Sequence, residues 1–578
     1  MKKHGSEFFL KAISVLALGV FALSACGGGG SSSSTGTGTT ISGTAAAGAP
    51  IIGSVTIKDS TTPTAQTKTV PIAADGKYTV DVTGLKAPYM VRADGYVGGN
   101  EYHLYSAGTT ADVGGTINIT PLTDLIVANI AGSIARTYFD GGNFSTLTEA
   151  QLTEQSDALK AKLLPILQAV GVSSSIDLLR ASFNTDHTGL DAVLDVVRVT
   201  TDTTTNVATI TNIVTQQQMT SNINTGTYTG ALDNTAGVGT ATTDIQAISA
   251  GFKQFSDLFA TSLPSETNAT LLSLFDNATF LQEGQNLASF LSEVTTDPNM
   301  IGISFTNISI QSMDTTNGTG VVGFDVMQNG MSLNDAPESW NMIKQNGAWY
   351  MQGDLRIAHV SLRPHAEYRP ADVSAQITTG LNMNIEDRGG VGITSAVVTG
   401  AGLPGQGVTL VNQINYDWFT FQDNTFGGNL YGMNDTQIAA IADTGEVYTI
   451  QLYTGSTLTA TYTEKIKKRP YLSTELTASS FPAITAPTVA QLHAFTGGNA
   501  TITWTLPIGL TNDWLNVEMN DNSGNSARAE FGLAPADRSK SLTLNPVTST
   551  GQPFTPTGGF IWLSAWDGDG RQLATSMW

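Results

Sequence analysis

Short runs in which apolar and polar residues alternate recur along most of the chain and predict a mainly β protein. In the ranges 54–58, 77–82 and 89–93, apolar side chains occupy every second position between turn-forming residues. Alternation with a period of two is typical of strands that bury one face. We therefore expect residues 41–120 to form a β-sandwich, in which Asp75-Gly76 makes a tight turn between strands.

After Pro121 the apolar spacing changes to three and four residues, which predicts helices. The stripe of the first helix consists of Leu122, Leu125, Ile126, Ile130 and Ile134. Thr148 begins a capping box, and Pro165 should end or kink the helix that follows. We predict a helical segment with a hairpin over 121–214 and a linker over 215–243.

The next module, 244–368, joins an aromatic-striped helix to four strands. The stripe consists of Ile245, Ile248, Phe252, Phe255 and Phe259. The strands are predicted over 303–310, 320–327, 339–344 and 349–357. This order, with Trp340, Trp349 and Gly353-Asp354 in the second half, resembles the NTF2-like family. The resemblance implies a cone-shaped sheet around a helix, enclosing a pocket that binds small ligands or carries out catalysis.

Two further β modules follow. Short alternating strands over 370–478 predict an Ig-like sandwich. Residues 481–578 resemble a fibronectin type III domain, on the evidence of a strand-borne Trp504, Pro507 soon after it and a late strand over 560–565. The resemblance implies a spacer or a protein-binding module. The predicted fold class is thus multi-domain and mainly β, with α+β parts.

The first module also resembles a family, the carboxypeptidase regulatory-like or transthyretin-like sandwiches. The matching positions are Gly43, Pro50, 55–57, Asp75-Gly76-Lys77-Tyr78, Gly84-Leu85 and Gly95-Tyr96. Such domains are stalks or carbohydrate-binding-like modules, and the resemblance implies no chemistry.

An export signal precedes these modules. A lysine-containing leader is followed by an uncharged run over 12–23, which is too short to span a bilayer and has the length of a signal-peptide core. Leu23-Ser24-Ala25-Cys26 then resembles the signal of bacterial lipoproteins. The resemblance implies cleavage between Ala25 and Cys26 and lipid on Cys26. Gly27, where an Asp would favour inner-membrane retention, indicates the outer membrane, with the protein facing the periplasm or the cell surface.

The cysteine and the residues after it fit an anchored protein. Cys26 is the single cysteine of the chain, so it has no partner for an intramolecular disulfide. Residues 27–40 contain only Gly, Ser and Thr and predict a flexible tether. The alternative is an ordinary secretory signal that happens to contain a cysteine.

Charge excludes one class of partner. The formal net charge is −21, and this field repels nucleic acid. The expected partners are the membrane, through lipid on Cys26, and a glycan or another envelope or extracellular protein.

Motifs for catalysis or cofactors are weak. The string Gly400–Gly405 fits G-x-G-x-x-G but lacks a following helix, so a glycine turn is favoured. Calcium-like loops at Asp567-Gly568-Asp569-Gly570 and at Asp186-x-x-Gly189-x-Asp191 lack the bidentate Glu of an EF-hand; a hairpin turn and a helix-capping loop are favoured. The histidines after the signal show no zinc-type spacing and are His103, His187, His359, His365 and His493. We expect no enzyme, catalytic residue, metal or cofactor.

Three functional hypotheses remain open. The leading one is a lipid-anchored envelope protein with a binding, adhesive or scaffolding role. The second is a ligand-binding or weakly catalytic NTF2-like pocket, in which Asp276, Asp325 or Asp354 would be a general base, although a surface or turn role is the alternative for each. The third is carbohydrate binding by the first sandwich, through an aromatic face made of Tyr89, Tyr96, Tyr102 and Tyr105.

Overall fold

The computed structural model describes residues 39–141, 143–328, 331–332, 338–371, 376–413, 418–422, 428–548 and 551–578. The signal, Cys26 and all but the end of the predicted tether lie outside these residues. Within them, strands predominate and form several separate sheets, which confirms a multi-domain, mainly β fold. No helix in this part of the chain is long and apolar enough to cross a membrane.

The first body is a two-sheet sandwich. Its strands are β1 (Thr40–Thr44), β2 (Ile52–Lys58), β3 (Thr67–Pro71), β4 (Lys77–Asp81), β5 (Tyr89–Val97) and β6 (Asn100–Gly108). β1 pairs with β4, and the second sheet has the order β3-β2-β5-β6. Alternate side chains such as Val55, Val80 and Val91 are buried between the sheets. Gly76 adopts a φ of 79° just before β4, a conformation that favours glycine and supports the predicted turn.

Helices and a small sheet follow. The helices are α1 (Pro121–Ala131), α2 (Ala135–Gly141), α3 (Glu149–Ala169) and α4 (Gly189–Val196). The sheet is an antiparallel meander of β7 (Val197–Asp202), β8 (Val207–Asn212), β9 (Gln218–Asn222) and β10 (Thr227–Thr229). Thr148 caps α3 with the expected capping box, and Thr120 caps α1 in the same way.

The central α+β part wraps a sheet around one long helix. Its helices are α5 (Val238–Phe259), α6 (Ala269–Leu272) and α7 (Leu287–Val294). Its strands are β11 (Leu281–Gln282), β12 (Gln285–Asn286), β13 (Ile303–Asp314), β14 (Thr319–Gln328), β15 (Met331–Ser332), β16 (Glu338–Gln345) and β17 (Ala348–Gly353). The main sheet has the order β13-β14-β16-β17, and α5 packs on β13.

One prediction for this region is wrong, and so is one of the two outcomes predicted for Pro165. Residues 215–243 are not a linker, because they contain β9, β10 and the start of α5. Their apolar residues are few, but Met219 and Ile223 are buried and join a core that continues from α1 to β17. Pro165 does not end α3, which continues to Ala169. Although the proline removes one backbone hydrogen bond, the neighbouring Leu163 and Ile166 are fully buried and hold the helix in place.

The C-terminal part contains two sandwiches. The first consists of β18 (His359–Tyr368), β19 (Ile377–Glu386), β20 (Ser395–Thr399), β21 (Val408–Val411), β22 (Thr420–Phe421), β23 (Leu430–Gly432), α8 (Asp435–Ala439), β24 (Val447–Thr454) and β25 (Thr457–Lys465). The second consists of β26 (Ala483–Ala486), α9 (Val489–His493), β27 (Gly498–Thr505), β28 (Thr511–Asn520), β29 (Ser526–Gly532), β30 (Ser539–Leu544), β31 (Gly558–Trp566) and β32 (Gln572–Met577). Trp504 is buried in the second core, as expected for a strand-borne tryptophan.

One sheet joins these two sandwiches, so the predicted boundaries at 368/370 and 478/481 do not separate independent sheets. Its seven strands have the order β23-β19-β18-β32-β31-β28-β29. β18, assigned from the sequence to the preceding module, pairs with β19 along its whole length and runs parallel to β32 from His365–Gln572 to Tyr368–Thr575. Pro370 is not a domain boundary because the chain returns after it as the next strand of the same sheet.

Candidate functional site

The seven-stranded sheet has one apolar face and one face of planar polar and aromatic side chains. Along β19, the apolar residues Leu381, Met383 and Ile385 point into the core. They alternate with Asn382, Asn384 and Glu386, which point to the other face. β28 and β31 alternate in the same way, with Asn516 paired opposite Trp562. Solvent-facing strands elsewhere, such as β25, carry threonines instead. The polar face is therefore built from side chains that present paired donors and acceptors.

A groove of about 480 Å³ lies over this face, where the central part of the chain meets both C-terminal sandwiches. The central part supplies Gln285 and Glu293. The first sandwich of the C-terminal part supplies Arg363, Glu367, Arg369, Asn382, Asn384, Glu386, Arg388, Trp418 and Asn429. The second supplies Trp514, Asn516, Arg528, Glu530, Phe560, Trp562, Gln572 and Trp578.

A chain of hydrogen bonds fixes one wall of the groove. Asn382 donates to Asn429 at 2.8 Å, Asn429 donates to Asn384 at 3.4 Å, and Asn384 donates to Glu386 at 2.9 Å. The Arg388 guanidinium donates to Glu386 at 2.8 Å. Because each side chain is held by the next, the wall is preorganised for a ligand.

The wall also connects to the central part of the chain. Arg388 donates to Glu283 at 2.7 Å, and His359 Nδ1 lies 2.9 Å from the other oxygen of Glu283. The Arg388 side chain is only 7% exposed. Burial alone would raise the pKa of Glu386, but Arg388 and His359 outweigh burial and hold that pKa below its usual value.

Aromatic rings form the opposite side of the groove. Trp562 stacks on His365 with ring centroids 6.3 Å apart, and Trp578 stacks on Phe560 at 6.2 Å. The Arg369 guanidinium lies 5.6 Å from the ring centre of Trp578. Burial lowers the pKa of His365 to about 4. The nearby charge of Glu367 opposes this shift, whereas the charges of Arg363 and Arg369 add to it. His365 is therefore neutral at physiological pH and adds a flat ring rather than a charge.

The charges that line the groove balance, but several of its hydrogen-bonding atoms have no partner in the part of the chain that the structure describes. Four arginines face four glutamates, and Arg369 contacts Glu367 at 2.7 Å. Among the described residues, buried lining atoms without a hydrogen bond are Arg363 Nε, Arg369 Nε, Asn382 Oδ1, Asn516 Oδ1 and Gln285 Oε1. Unpaired buried donors and acceptors are costly in a folded protein, so the groove is suited to a ligand that forms these bonds.

The cone of the central part is filled, which counts against the second hypothesis. Phe252 on α5 has the rings of Phe305, Phe324 and Trp340 at 5.5, 5.2 and 5.9 Å. Further rings pack around them, including Phe255, Phe275, Phe280 and Phe290. Side chains therefore occupy the space that a ligand would need.

The three aspartates proposed for that cone make local contacts instead. Asp325 accepts hydrogen bonds from the amides of Gly98 and Gly99, in the turn between β5 and β6. Asp276 accepts from the hydroxyl of Thr279. Asp354 accepts from the amides of Glu283 and Arg356, and burial together with Glu283 raises its pKa to about 7. Asp276 and Asp354 thus lie in or next to turns, as the alternative predicted. Asp325 is 2% exposed on β14 and binds the turn of another sheet, so it has neither a surface nor a turn position.

The tyrosines of the first sandwich do not form a common platform. Tyr89 and Tyr105 are each only 3% exposed, and Tyr102 is half-buried. Tyr96 is 39% exposed, with Lys467 5.4 Å from its ring centre. A single accessible ring counts against the third hypothesis at this location.

The two calcium-like strings have different surroundings. Asp567 accepts from the amides of Asp569 and Arg571, and the Arg571 guanidinium contacts its other oxygen at 2.7 Å, so this string closes the turn between β31 and β32. Asp186 accepts from the Thr188 amide and hydroxyl, next to the N-terminus of α4. Asp191 belongs to a buried group described below.

The groove residues were not predicted from the sequence. Their signal was the composition of the polar positions, where Asn, Glu and Trp recur along β19, β28 and β31. His365, for which the sequence indicated only that it lacks zinc-type spacing, is a buried residue whose ring stacks on Trp562. The site at Cys26 and Ala25 lies outside the described residues.

No protein-family model and no curated protein matches the chain. Among solved structures, similarity extends to a two-domain fibronectin type III segment of chicken tenascin, at 13% identity, 38% of this chain, 94% of that chain and a TM-score of 0.12. It also extends to a tetra-tandem repeat of a large adhesion protein, at 11% identity over 93% of this chain and 97% of that chain, with a TM-score of 0.12. A third similar structure concerns host cell surface retention of a bacterial ice-binding adhesin, at 12% identity over 38% of this chain and 63% of that chain, with a TM-score of 0.13. These TM-scores carry no argument about function, and the mainly β fold rests on the sheets described above.

Proposed function

We propose that this chain is a lipid-anchored cell-envelope protein that binds a glycan in the groove on its seven-stranded sheet. The groove carries the proposal, because it combines aromatic rings, fixed planar amides and unpaired buried hydrogen-bonding atoms in one cleft. Anchoring through Cys26 at the outer membrane would give this binding an adhesive or scaffolding role.

The chemistry of the groove favours an uncharged, polyhydroxylated ligand. Its arginines and glutamates offset one another, so a strongly charged ligand would meet no net opposite charge. The C–H face of a sugar ring packs on tryptophan, and neighbouring sugar hydroxyls both donate and accept, which matches the amides of Asn382 and Asn516. A peptide that adds a strand to a sheet requires an exposed edge, whereas this groove lies over the middle of the sheet.

Replacing Trp562 with alanine is expected to weaken glycan binding at least ~30-fold, equivalent to about 2 kcal/mol, because central aromatic anchors dominate binding energy. Replacing Asn516 with alanine should weaken it in the same direction. The measurement is an array of neutral and acidic oligosaccharides probed with the full chain, followed by titration calorimetry on the best neutral ligand.

Tyr96→Ala is the matched control, because Tyr96 is an accessible aromatic residue on the first sandwich. It should bind like the wild type. Two outcomes would count against the groove: no neutral ligand on the array, or binding that is lost in Tyr96→Ala and retained in Trp562→Ala. Circular dichroism of each variant shows whether its sheets are intact.

Replacing Cys26 with serine is expected to move the protein from the membrane fraction to the soluble fraction, because the hydroxyl cannot carry the thioether-linked lipid. Fractionation with immunodetection measures the partition. Ser24→Ala keeps the cysteine and should stay with the membrane. If Cys26→Ser partitions like the wild type, the proposal of lipid anchoring through Cys26 is wrong. The glycan titration tests the groove independently of this result.

A further inference from the structure

A buried cluster at the start of α4 joins one histidine to two carboxylates. One possible ligand atom from each of His187, Asp191 and Asp195 lies within 4.8 Å of the others. His187 Nδ1 is 3.0 Å from Asp195 Oδ2, and the His187 amide donates to Asp191 Oδ2 at 2.7 Å. Asp191 is 0% exposed and Asp195 is 3% exposed.

Each carboxylate keeps one oxygen without a partner. Asp191 Oδ1 and Asp195 Oδ1 are buried and accept no hydrogen bond from any described residue. His187 is the basic group that acts on both of them, and the other charges acting on Asp191 are those of Asp195 and Asp186. With both carboxyls ionised, a single imidazolium leaves one buried negative charge uncompensated, which costs several kcal/mol.

The electrostatics of the cluster call for a proton or a cation. Two buried carboxylates beside one imidazole place a surplus of negative charge in the interior, which a cation would offset. A bound divalent ion would supply that positive charge, and one possible ligand atom of each of the three residues lies close enough to the others to share it.

We propose that His187, Asp191 and Asp195 bind a divalent transition-metal ion, with zinc as the best match. One imidazole nitrogen with two carboxylate oxygens is a donor set that zinc accepts, with water completing four-coordination. Calcium and magnesium prefer oxygen ligands alone. Asp191 and Asp195 lie four residues apart on one face of α4, and His187 lies in the loop before this helix. A histidine followed by two aspartates at this spacing is the sequence signal of the cluster, and it matches no known zinc motif.

A cavity adjoins this cluster. Asp195 lines a cavity of about 550 Å³ between the first sandwich, the β7 region and the central sheet. Gly48 lies at the same cavity, and a Cβ on it would be 3.6 Å from Asp195 Oδ1. An ion could enter here with its water, and once bound it would brace α4 beside the first sandwich.

The test is a titration of the full chain, treated with EDTA and dialysed, with ZnCl₂, MnCl₂ and CaCl₂ by calorimetry. We expect one Zn²⁺ per chain, weaker Mn²⁺ binding, no Ca²⁺ binding and a higher Tm with Zn²⁺ than with EDTA. Asp195→Asn and Asp191→Asn should each weaken Zn²⁺ binding more than ~100-fold, since even outer-shell changes cost 10–100-fold.

His103→Gln is the matched control, because His103 also contacts two carboxylates, Asp94 and Glu101, but its side chain is 44% exposed. It should bind Zn²⁺ like the wild type. The proposal is overturned if the wild type binds no Zn²⁺, if both asparagine variants bind it as the wild type does, or if only His103→Gln loses binding. If an asparagine variant does not fold, His187→Gln carries the same expectation.

Discussion

Replacing Phe252 with alanine is expected to lower the free energy of unfolding of the central part of the chain by about 3–5 kcal/mol. Phe252 is fully buried on the inner face of α5. Its ring lies 5.2 Å from that of Phe324 and 5.5 Å from that of Phe305, with Trp340 beyond. Removing it leaves a cavity bounded by rigid rings on a paired sheet, which cannot collapse to fill the space, so the cost should be near the upper end of the range.

Hydrogen exchange measured by mass spectrometry at the amides of β13 and β14 reports this loss locally, because a chain of several bodies does not unfold in one step. Leu272→Ala is the control on α6 of the same part, since Leu272 is 42% exposed; it should change the exchange free energy by less than about 0.5 kcal/mol. Equal protection of β13 and β14 in both variants would show that the cone is loosely packed.

Replacing Arg388 with methionine is expected to destabilise the junction between the central and C-terminal parts by about 3–5 kcal/mol, the cost typical of removing one partner from a buried ion pair. Arg388 contacts Glu386 at 2.8 Å and Glu283 at 2.7 Å. Methionine keeps the length of the side chain but removes the positive charge beside two carboxylates that are only 17% and 12% exposed. The triple variant Arg388→Met, Glu283→Gln, Glu386→Gln should recover part of the lost stability, because it also removes the two carboxylate charges that Arg388 offsets.

The control is Arg136→Met, whose guanidinium is 68% exposed and 3.6 Å from Asp140; exposed pairs contribute about 0–1 kcal/mol. Urea unfolding followed by exchange at β18 and β19 compares the two variants. If Arg388→Met is no less stable than Arg136→Met, the buried network does not hold the junction.

The same network predicts a pH dependence for the wild type. The folded pKa of Glu386 is below its usual value, so the unfolded chain takes up protons first as the pH falls. The stability from this group is complete above about pH 4.3, the unfolded value, and is lost as the pH falls through the lowered pKa. The acid dependence should be weaker in the triple variant.

Local patterns in the sequence were sufficient for most individual elements. The alternation over 408–411 and 320–327 matches β21 and most of β14, and the aromatic stripe over 245–259 lies on α5. These elements follow from neighbouring residues, because a strand or helix that buries one face repeats its apolar positions at a fixed period. Where polar residues carry an element, as in β9 and β10, that signal is weak, and the sequence indicated a linker.

The groove could not be predicted because it depends on one distant pairing. β18 and β32 meet through residues such as His365 and Gln572, which are 207 positions apart. Alternation shows that Asn382 and Trp562 point away from their cores, but it does not indicate which strands share a sheet. The sequence therefore predicts that these residues lie on polar strand faces, but it does not predict that those faces come together in one groove.

The position of β32 also determines when the sheet can be completed during synthesis. β32 is the last of the seven strands to leave the ribosome, yet it lies between β18 and β31. Before β32 pairs, β18 and β31 are edge strands with unpaired backbone groups, and such edges tend to pair with other chains. Pairing across such a separation is slow, so the nascent protein depends on being kept apart from its copies until this final strand closes the gap.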